Sequence, residues 1–307
     1  MVDYVEVEIR GRKAAARLAS ATFITGTGKS TFIEIMYRVL SSVGKKLPRV
    51  GGGWSFYAQS GDVAYLITVG KSRVRQSVAV GGEELVFEYI PSRSAHRIVK
   101  PINMSVADAD VVIPLVRAEE HVSMVADEDI ERFNSMLATA RKALGVKIQL
   151  LGPYIAPRSV VDAEVKNVNL LERHGRNLVA VLSNLALYRP TAYDSIRAIL
   201  RKVGFTVSVG LAKPGKIGAF VATGTLKMPL GKAPCSVKSL LALAVALELK
   251  PDILVVDNLD YCLTPSVAEA LTSILRQRPT KLVAEVHHRD VVDWIGVPDK
   301  AIVEIRL

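Results

Sequence analysis

The stretch FITGTGKSTFIEIM, from Phe23 to Met36, contains the residue types and spacing that best fit a chemical role. Glycines let backbone N–H groups wrap phosphate oxygens, a lysine reaches the outer phosphates, and an adjacent Ser or Thr ligates Mg²⁺. A strand-like run precedes the stretch and a helix-like run follows it, which is the context that such a loop requires. We therefore predict a phosphate-binding loop, with Ser30 as a metal ligand, formed by Thr25, Gly26, Thr27, Gly28, Lys29, Ser30 and Thr31.

Two further runs place polar residues at the ends of apolar segments. PDILVVDNLD brings Asp257 to the end of one such run, and KLVAEVHH ends in His287 and His288. A carboxylate at a strand end can hold Mg²⁺ through water, and a histidine there can reach a γ-phosphate. Taken alone, the aspartate could simply cap a turn and the histidine could be structural. Their occurrence in this order, downstream of Lys29, favours a nucleotide site.

The segments that must position these residues differ along the chain. In the first third, alternating runs with turns at Gly70 and at Gly81–Gly82 predict antiparallel strands. The middle third has apolar residues at helical spacing, and a strand pair follows it. In the last third, helices alternate with continuous apolar runs, which predicts a parallel sheet with crossovers. The predicted helices cover 29–44, 127–145, 175–189, 191–204, 236–250 and 266–278.

Bulk composition sets limits on location and partners. The chain has 307 residues and a formal net charge of +10, which favours a polyanion such as nucleic acid as partner, although simple solubility explains it equally well. No apolar run approaches the ~20 residues that a membrane span needs, so we expect a cytoplasmic protein. Cys235 and Cys262 predict neither a disulfide framework nor a metal site. Scarce glutamine with abundant Val, Arg and Lys fits a thermophile.

With these motifs in order, the whole chain resembles an ABC-type ATPase of the SMC/RecF/OLD-like branch, the group of short AAA ATP-binding domain proteins. The matching pieces are TGTGKST, the meander from Asp62 to Ile90, LLGPYIAPR, GRNLVAVLSNL, SVKSLLALAVAL, ILVVDNLDYCLTP and HHRDVVD. The resemblance implies an α/β, ABC-ATPase-like P-loop fold with a parallel core sheet, an antiparallel β lobe and a helical insertion. It implies a single nucleotide-binding domain over 1–307, with a core lobe of 1–110 and 236–307. Residues 111–235 would form the helical insertion with a β return.

The resemblance also assigns roles to individual residues. Lys29 and Ser30 would be P-loop residues, Asp257 the Walker B acid and metal ligand, and His288 the switch histidine. Leu263–Pro265 would form the loop that approaches a second subunit. The glutamine of the Q-loop is either Gln59 or Gln76, and the sequence leaves both open.

Three positions depart from the family pattern. Phe23 replaces the first glycine of the P-loop, and Asn258 replaces the catalytic glutamate after Asp257. In the signature run APCSVKS, Pro234 stands where the serine would be, so that only Ser236 offers a partial replacement at the start of a helix. Asparagine cannot accept a proton, and general-base assistance is worth ~10²–10⁴-fold in rate. Nearby acids are Asp260, expected to point at the dimer face, and Glu285, expected to be buried.

We therefore expect a protein that binds ATP and Mg²⁺. Relative to the family pattern, the residues for binding are present, whereas those for turnover differ. Hydrolysis, with Asp257, Asn258 and His288 as the catalytic positions, would be slow or dependent on a partner. ATP would drive association of two heads, in a homodimer weakened by the altered signature or in a heterodimer, with DNA or RNA as a candidate for the clamped polymer. The alternatives are a non-hydrolysing nucleotide-binding scaffold and the ATP-binding subunit of a larger complex or transporter.

Overall fold

The computed structural model describes residues 1–47, 51–90, 95–100, 104–106, 111–113, 127–162 and 170–307. These residues fall into two compact units. The first unit contains 1–18, 26–147 and 303–307, and the second contains 19–25 and 148–302. Assignment of 1–307 to one nucleotide-binding domain, and of 111–235 to an insertion, stays a prediction.

The elements are named here in chain order. The strands are β1 (Tyr4–Ile9), β2 (Arg12–Arg17), β3 (Ala21–Thr27), β4 (Trp54–Ser60), β5 (Val63–Val69), β6 (Val74–Val80), β7 (Glu83–Ile90), β8 (Ala95–Lys100), β9 (Met104–Val106), β10 (Ile148–Leu151), β11 (Val160–Asp162), β12 (Thr206–Lys213), β13 (Lys216–Thr223), β14 (Leu226–Pro229), β15 (Ile253–Val256), β16 (Lys281–Glu285) and β17 (Lys300–Arg306). The helices are α1 (Lys29–Ser41), α2 (Asp127–Leu144), α3 (Leu178–Tyr188), α4 (Pro190–Lys202), α5 (Cys235–Glu248), α6 (Pro265–Leu275) and α7 (Asp290–Asp293).

The first unit is built on an antiparallel sheet of eight strands in the order β2-β1-β4-β5-β6-β7-β8-β9. Strand β4 has buried side chains at alternate positions, from Trp54 to Ser60, as expected for a sheet with one covered face. Strand β4 was not among the predicted strands. Helix α1 contacts β1 and β4, and helix α2 contacts β4, β5 and β6.

The second unit contains a five-stranded sheet in the order β10-β15-β16-β3-β17. The pairs β10–β15, β15–β16 and β16–β3 are all parallel. All four residues of β15 are buried, which fits a strand covered on both faces. The predicted mixed α/β architecture, with parallel and antiparallel sheets, is therefore confirmed.

Helix α5 lies at the centre of the hydrophobic core of the second unit. Every residue from Leu240 to Glu248 is buried, so the helix is enclosed on all sides rather than on one stripe. It contacts α3, α4, α6 and strand β10. An antiparallel sheet in the order β11-β13-β12, with β14 also paired to β13, completes this unit. Among the described residues, no helix is long and apolar enough to cross a membrane.

The structure corrects the expectation for the cysteines. Cys235, the first residue of α5, forms a disulfide with Cys262, which follows β15, and their Cα atoms are 5.6 Å apart. A separation of 27 residues between two cysteines matches no spacing pattern that would predict a disulfide from the sequence. The bond therefore ties the start of α5, where the signature run lies, to the turn after β15.

Loss of this disulfide should destabilise the second unit. We expect Cys235→Ser to lower the free energy of unfolding by about 2–4 kcal/mol, because the crosslink restricts the unfolded chain. Urea unfolding followed by circular dichroism measures the change. Cys262→Ser and the double variant should match the single variant, and reductant should affect only the wild type. Identical unfolding of oxidised and reduced wild type would contradict the prediction.

Candidate functional site

The predicted phosphate-binding segment has the backbone shape that its glycines suggest. Gly26 and Gly28 have φ values of 94° and 79°, in the left-handed region that side chains with a Cβ disfavour. A Cβ on Gly26 would overlap the carbonyl oxygen of Ile305, and one on Gly28 would lie 2.7 Å from the Cβ of Leu307. Both positions therefore require glycine on conformational and on steric grounds.

Helix α1 begins directly after this turn, with Gly28 as its N-cap and no capping side chain. The first-turn N–H groups of an α-helix have no partner within the helix, and with the helix dipole they favour a bound anion. The Nζ of Lys29 donates to the carbonyl of Gly26 at 3.1 Å. Ser30 and Thr31 are exposed, whereas Thr25 is buried. The segment can thus bind an anion through backbone amides, with a cation beside them.

The structure explains the departure at Phe23. This residue lies inside strand β3, is fully buried, and belongs to the hydrophobic core of the second unit. A strand position needs no glycine, and a large apolar side chain there contributes about 1.5–3 kcal/mol by burial. The left-handed turn begins only at Gly26, so Phe23 does not obstruct it.

In the second unit, several predicted residues come to the same edge of the parallel sheet. Val256 of β15 pairs with Ala284 of β16, and Glu285 pairs with Ile24 of β3. The carboxyl ends of parallel neighbours meet at one edge, where α/β sheets bind ligands. Asp257 and the residues after Glu285 follow these strand ends, and Thr25 follows Ile24, the β3 residue that pairs with Glu285.

Asp257 has a partner that sequence reasoning missed. Its carboxylate is nearly buried, and Oδ2 accepts a hydrogen bond of 2.7 Å from Nη2 of Arg173. The Asp257 amide donates to Leu151, the last residue of β10. Arg173 stands 84 residues earlier, just before the GRNLVAVLSNL run, and no spacing rule links the two. The predicted metal ligand is therefore held by a guanidinium in this structure.

Asn258 occupies an unusual backbone conformation for a non-glycine residue. Its φ is 57°, and Asn is one of the few side chains that tolerate this region. Most other non-glycine residues pay about 1–2 kcal/mol for a left-handed conformation. The local backbone thus favours Asn over Glu at the position where the resemblance implies a catalytic glutamate.

The two neighbouring acids have different surroundings from one another. Asp260 was expected to point at a dimer face, but its side chain is only 4% exposed and turns inward. Its Oδ2 accepts hydrogen bonds from the backbone N–H groups of His287 and His288, at 2.7 and 2.9 Å. Glu285 is buried, as expected. Neither carboxylate is exposed to solvent as a general base for water would need to be.

The two adjacent histidines differ in their contacts. The His287 ring lies between two carboxylates, with Nδ1 3.5 Å from Oδ1 of Asp260 and Nε2 3.6 Å from Oε1 of Glu285. His288 is exposed and follows it at the start of the short segment leading to α7. His287 is exposed as well, so the two histidines differ in their carboxylate contacts and not in their exposure.

The altered signature run forms the start of α5. Pro234 is the N-cap, with ψ of 148°, and no side chain caps the helix. Ser236 lies in the first turn and is half-buried. The preceding residue, Cys235, is disulfide-bonded to Cys262. Ser236 therefore sits at a helix N-terminus, as predicted, but its role stays a prediction.

The two candidate Q-loop glutamines lie in different settings. Gln76 is buried, accepts from Tyr65 and from the Ile113 amide, and donates to Val111, so its side-chain amide holds the structure together on both its oxygen and its nitrogen. Gln59 is exposed and donates to the Gly61 carbonyl at 3.2 Å. These environments favour Gln59 as the glutamine available to a ligand.

Gln59 lines an open cleft of the first unit with a volume of about 470 Å³, formed with Tyr4, Glu6, Arg17 and Tyr57. Burial raises the pKa of the Tyr4 phenol, and the Glu6 carboxylate raises it further. The phenol donates to Oε2 of Glu6 at 3.2 Å. The described lining of this cleft includes no residue of 25–31.

Comparisons with known proteins agree with the fold. No family model matches the chain, and no curated protein matches it. Among solved structures, the chain is similar to an SMC head bound to the C-winged helix domain of ScpA. The identity is 12%, the TM-score is 0.50, and the match covers 100% of this chain and 94% of that one. The fold is therefore that of an SMC head, with its parallel core sheet and antiparallel sheets.

Two further structures match at lower scores. An SMC head domain from Thermotoga maritima is 13% identical, with a TM-score of 0.42 over 96% of this chain and 92% of that one. The cbiO1 protein from Clostridium perfringens, part of the ABC transporter complex cbiONQ, is 10% identical, with a TM-score of 0.41 over 99% and 88%. At these scores the two structures add nothing to the fold assignment.

The Arg173–Asp257 pair should be measurable by a double-mutant cycle. We expect Arg173→Ala to lower the free energy of unfolding by about 1–3 kcal/mol, because it leaves a nearly buried carboxylate without its charged donor. In an Asp257→Asn background the same change should cost less. Arg176→Ala, an exposed neighbour, serves as control and should change stability by no more than about 0.5 kcal/mol. Additive effects of Arg173→Ala and Asp257→Asn would show that the pair is not coupled.

Proposed function

We propose that this chain binds ATP with Mg²⁺ and hydrolyses it slowly or only with a partner. The observation that carries the proposal is the turn at Gly26 and Gly28, both left-handed, followed at once by the N-terminus of α1 at Lys29. Such a turn presents backbone amides and a lysine to a phosphate chain. The likeness to an SMC head supports the fold in which this turn occurs.

The roles that we propose follow from side-chain chemistry. The Lys29 ammonium would neutralise the outer phosphates, and the exposed hydroxyl of Ser30 would ligate Mg²⁺. Asp257 would hold the metal through water after the Arg173 guanidinium has moved away from the Asp257 carboxylate. Bound Mg²⁺ supplies charge neutralisation for phosphoryl transfer. Thr25, Thr27, Thr31, Gln59 and Ser236 are proposed as further nucleotide contacts.

Asn258 is the proposed limit on hydrolysis. Its amide can orient a water molecule but cannot remove the proton, while Asp260 and Glu285 are turned inward. Loss of ~10²–10⁴-fold corresponds to roughly 3–5 kcal/mol on the barrier. The competing function is a scaffold in which ATP is bound and never cleaved. Mg²⁺-dependent phosphate release from the wild type distinguishes the two functions.

The proposed use of ATP is association of two heads. The loop Leu263–Pro265 would approach the second head, and Pro234 would contribute no hydroxyl there. A partner with an intact signature therefore suits the chain better than a second copy does. The net charge of +10 supports nucleic acid as the polymer held by such a pair. A transporter subunit is the less favoured assembly, because the signature run is altered. Cytoplasmic location and a thermophilic source stay predictions.

ATP affinity should depend on Lys29. We expect Lys29→Ala to weaken ATP binding at least tenfold, about 1.4 kcal/mol, because the loop places no other cation on the outer phosphates. Titration calorimetry with Mg²⁺ measures the effect. Lys142→Ala, at an exposed position in the last turn of α2, is the matched control and should leave affinity unchanged. Equal affinities of the Lys29 variant and the wild type would remove the phosphate-binding role of this loop.

Turnover should be limited by residue 258. We expect wild-type turnover below roughly one per minute, against the usual enzyme range of ~1–10³ per second. Asn258→Glu should raise turnover at least tenfold without changing ATP affinity, because it restores a carboxylate beside Asp257. It should also lower stability by about 1–2 kcal/mol, because residue 258 has a left-handed backbone.

Asn258→Gln is the matched control for this change. It has the length and the backbone preference of glutamate but cannot act as a base, so it should lower stability similarly and leave turnover low. If Glu and Gln give the same rate, the limit lies elsewhere, with the altered signature as the next position to test. Fast turnover of the wild type would show that another residue is the base.

A further inference from the structure

The turn that follows β15, residues 258–263, is held to the end of β16 by several contacts. The Leu259 amide donates to the Glu285 carbonyl at 2.8 Å. Within the turn, the Tyr261 amide donates to Asn258 at 3.2 Å, and Cys262 is bonded to Cys235. The Tyr261 ring makes an edge contact with Tyr154, with centroids 4.7 Å apart. These contacts hold the turn, and with it Asp260, at a fixed position beside the end of β16.

The Asp260 carboxylate is the point where this turn reaches the segment after β16. One oxygen accepts both the His287 and the His288 backbone N–H groups, at 2.7 and 2.9 Å, and the side chain is 4% exposed. Hydrogen bonds to an ionised acceptor are roughly twice as strong as neutral ones. The amide of Val286, the preceding residue, still donates to the Ile24 carbonyl of β3. The Asp260 carboxylate thus accepts from the two backbone N–H groups that directly follow the last amide paired in the sheet.

The same carboxylate also lies beside the His287 side chain. The second oxygen of Asp260 lies 3.5 Å from Nδ1 of His287, and Oε1 of Glu285 lies 3.6 Å from Nε2 of that ring. Both histidines are exposed, and His287 has these two carboxylates next to its ring. The buried acid Asp260 therefore contacts the backbone of both histidines and the ring of the first.

We propose that Asp260 is a positioning residue for the ATPase reaction: it fixes the backbone of residues 287 and 288 and thereby the place of His288 at the end of β16. This inference rests on the proposed function. Asp260 acts through His288 and does not touch the reacting atoms, because both of its oxygens face residues 287 and 288. Its removal should therefore disturb hydrolysis more than ATP binding.

The test uses the full chain with Asp260→Ala and Asp260→Asn. Hydrogen exchange of the His287 and His288 amides is measured by mass spectrometry without nucleotide. ATP affinity is measured by calorimetry, and hydrolysis by single-turnover assay with γ-labelled ATP. We expect Asp260→Ala to speed exchange of both amides at least tenfold and to slow hydrolysis at least tenfold, with ATP affinity within twofold of wild type.

Asp260→Asn should lie between Asp260→Ala and the wild type in both exchange and hydrolysis, because its one neutral oxygen is a weaker acceptor for two amides. It also provides a second variant if the alanine protein does not fold. Asp290→Asn, at an exposed acid three residues after His287, is the matched control and should change none of the three measurements by more than twofold.

Unchanged exchange in either folded Asp260 variant would overturn the proposal. Faster exchange with unchanged hydrolysis would overturn it as well, as would equal losses of affinity and turnover, which indicate a general structural role. Absence of any wild-type hydrolysis would also reject it. Failure of the proposed function appears separately, as a wild-type protein that binds no ATP, and the exchange measurement does not depend on that result.

Discussion

The parallel pairing of β3, β16 and β15 is the constraint on which the second unit depends. Parallel neighbours cannot be joined by tight hairpins, so each connection must cross the sheet, and helices provide those crossovers. Strands covered by helices on both faces must be apolar throughout, as β15 is. The same pairing brings the strand ends to one edge, so that residues far apart in sequence become neighbours. The contacts of Asp260 and Leu259 with residues at and after the end of β16 follow from that pairing.

Much of this arrangement could be predicted because it rests on local patterns. The run from Ile253 to Val256 is apolar at every position, and the crossover helix α5 is apolar on all sides. The glycines at 26 and 28 signal a turn because few other residues adopt positive φ without strain. The ends of the six predicted helices lie within three residues of those in the structure. Strand β4 carried an equally local signal, alternation from Trp54 to Ser60, which was overlooked.

The remaining features depend on contacts that no local pattern encodes. Arg173 reaches Asp257 across 84 residues, and Cys235 reaches Cys262 across 27. Such pairs are set by the crossover geometry, which sequence spacing alone does not provide. The inward turn of Asp260 was missed for a related reason. A residue just past a strand end was assumed to face outward, but two backbone amides of the adjacent segment required an acceptor there. A carboxylate is a strong acceptor for backbone N–H groups, and this pairing sets the direction of the Asp260 side chain.

The two aspartates after β15 differ in how easily each can be released. Asp257 is held by a side chain, a guanidinium that is 40% exposed and can move away by rotation about its own bonds. Asp260 is held by backbone N–H groups of a segment that continues from a sheet strand, and these cannot move without displacing that segment. The Asp257 carboxylate can therefore exchange its partner without a movement of the backbone, whereas the Asp260 carboxylate cannot, although the residues are only three positions apart. An exchangeable partner is what the proposed metal-binding role of Asp257 requires.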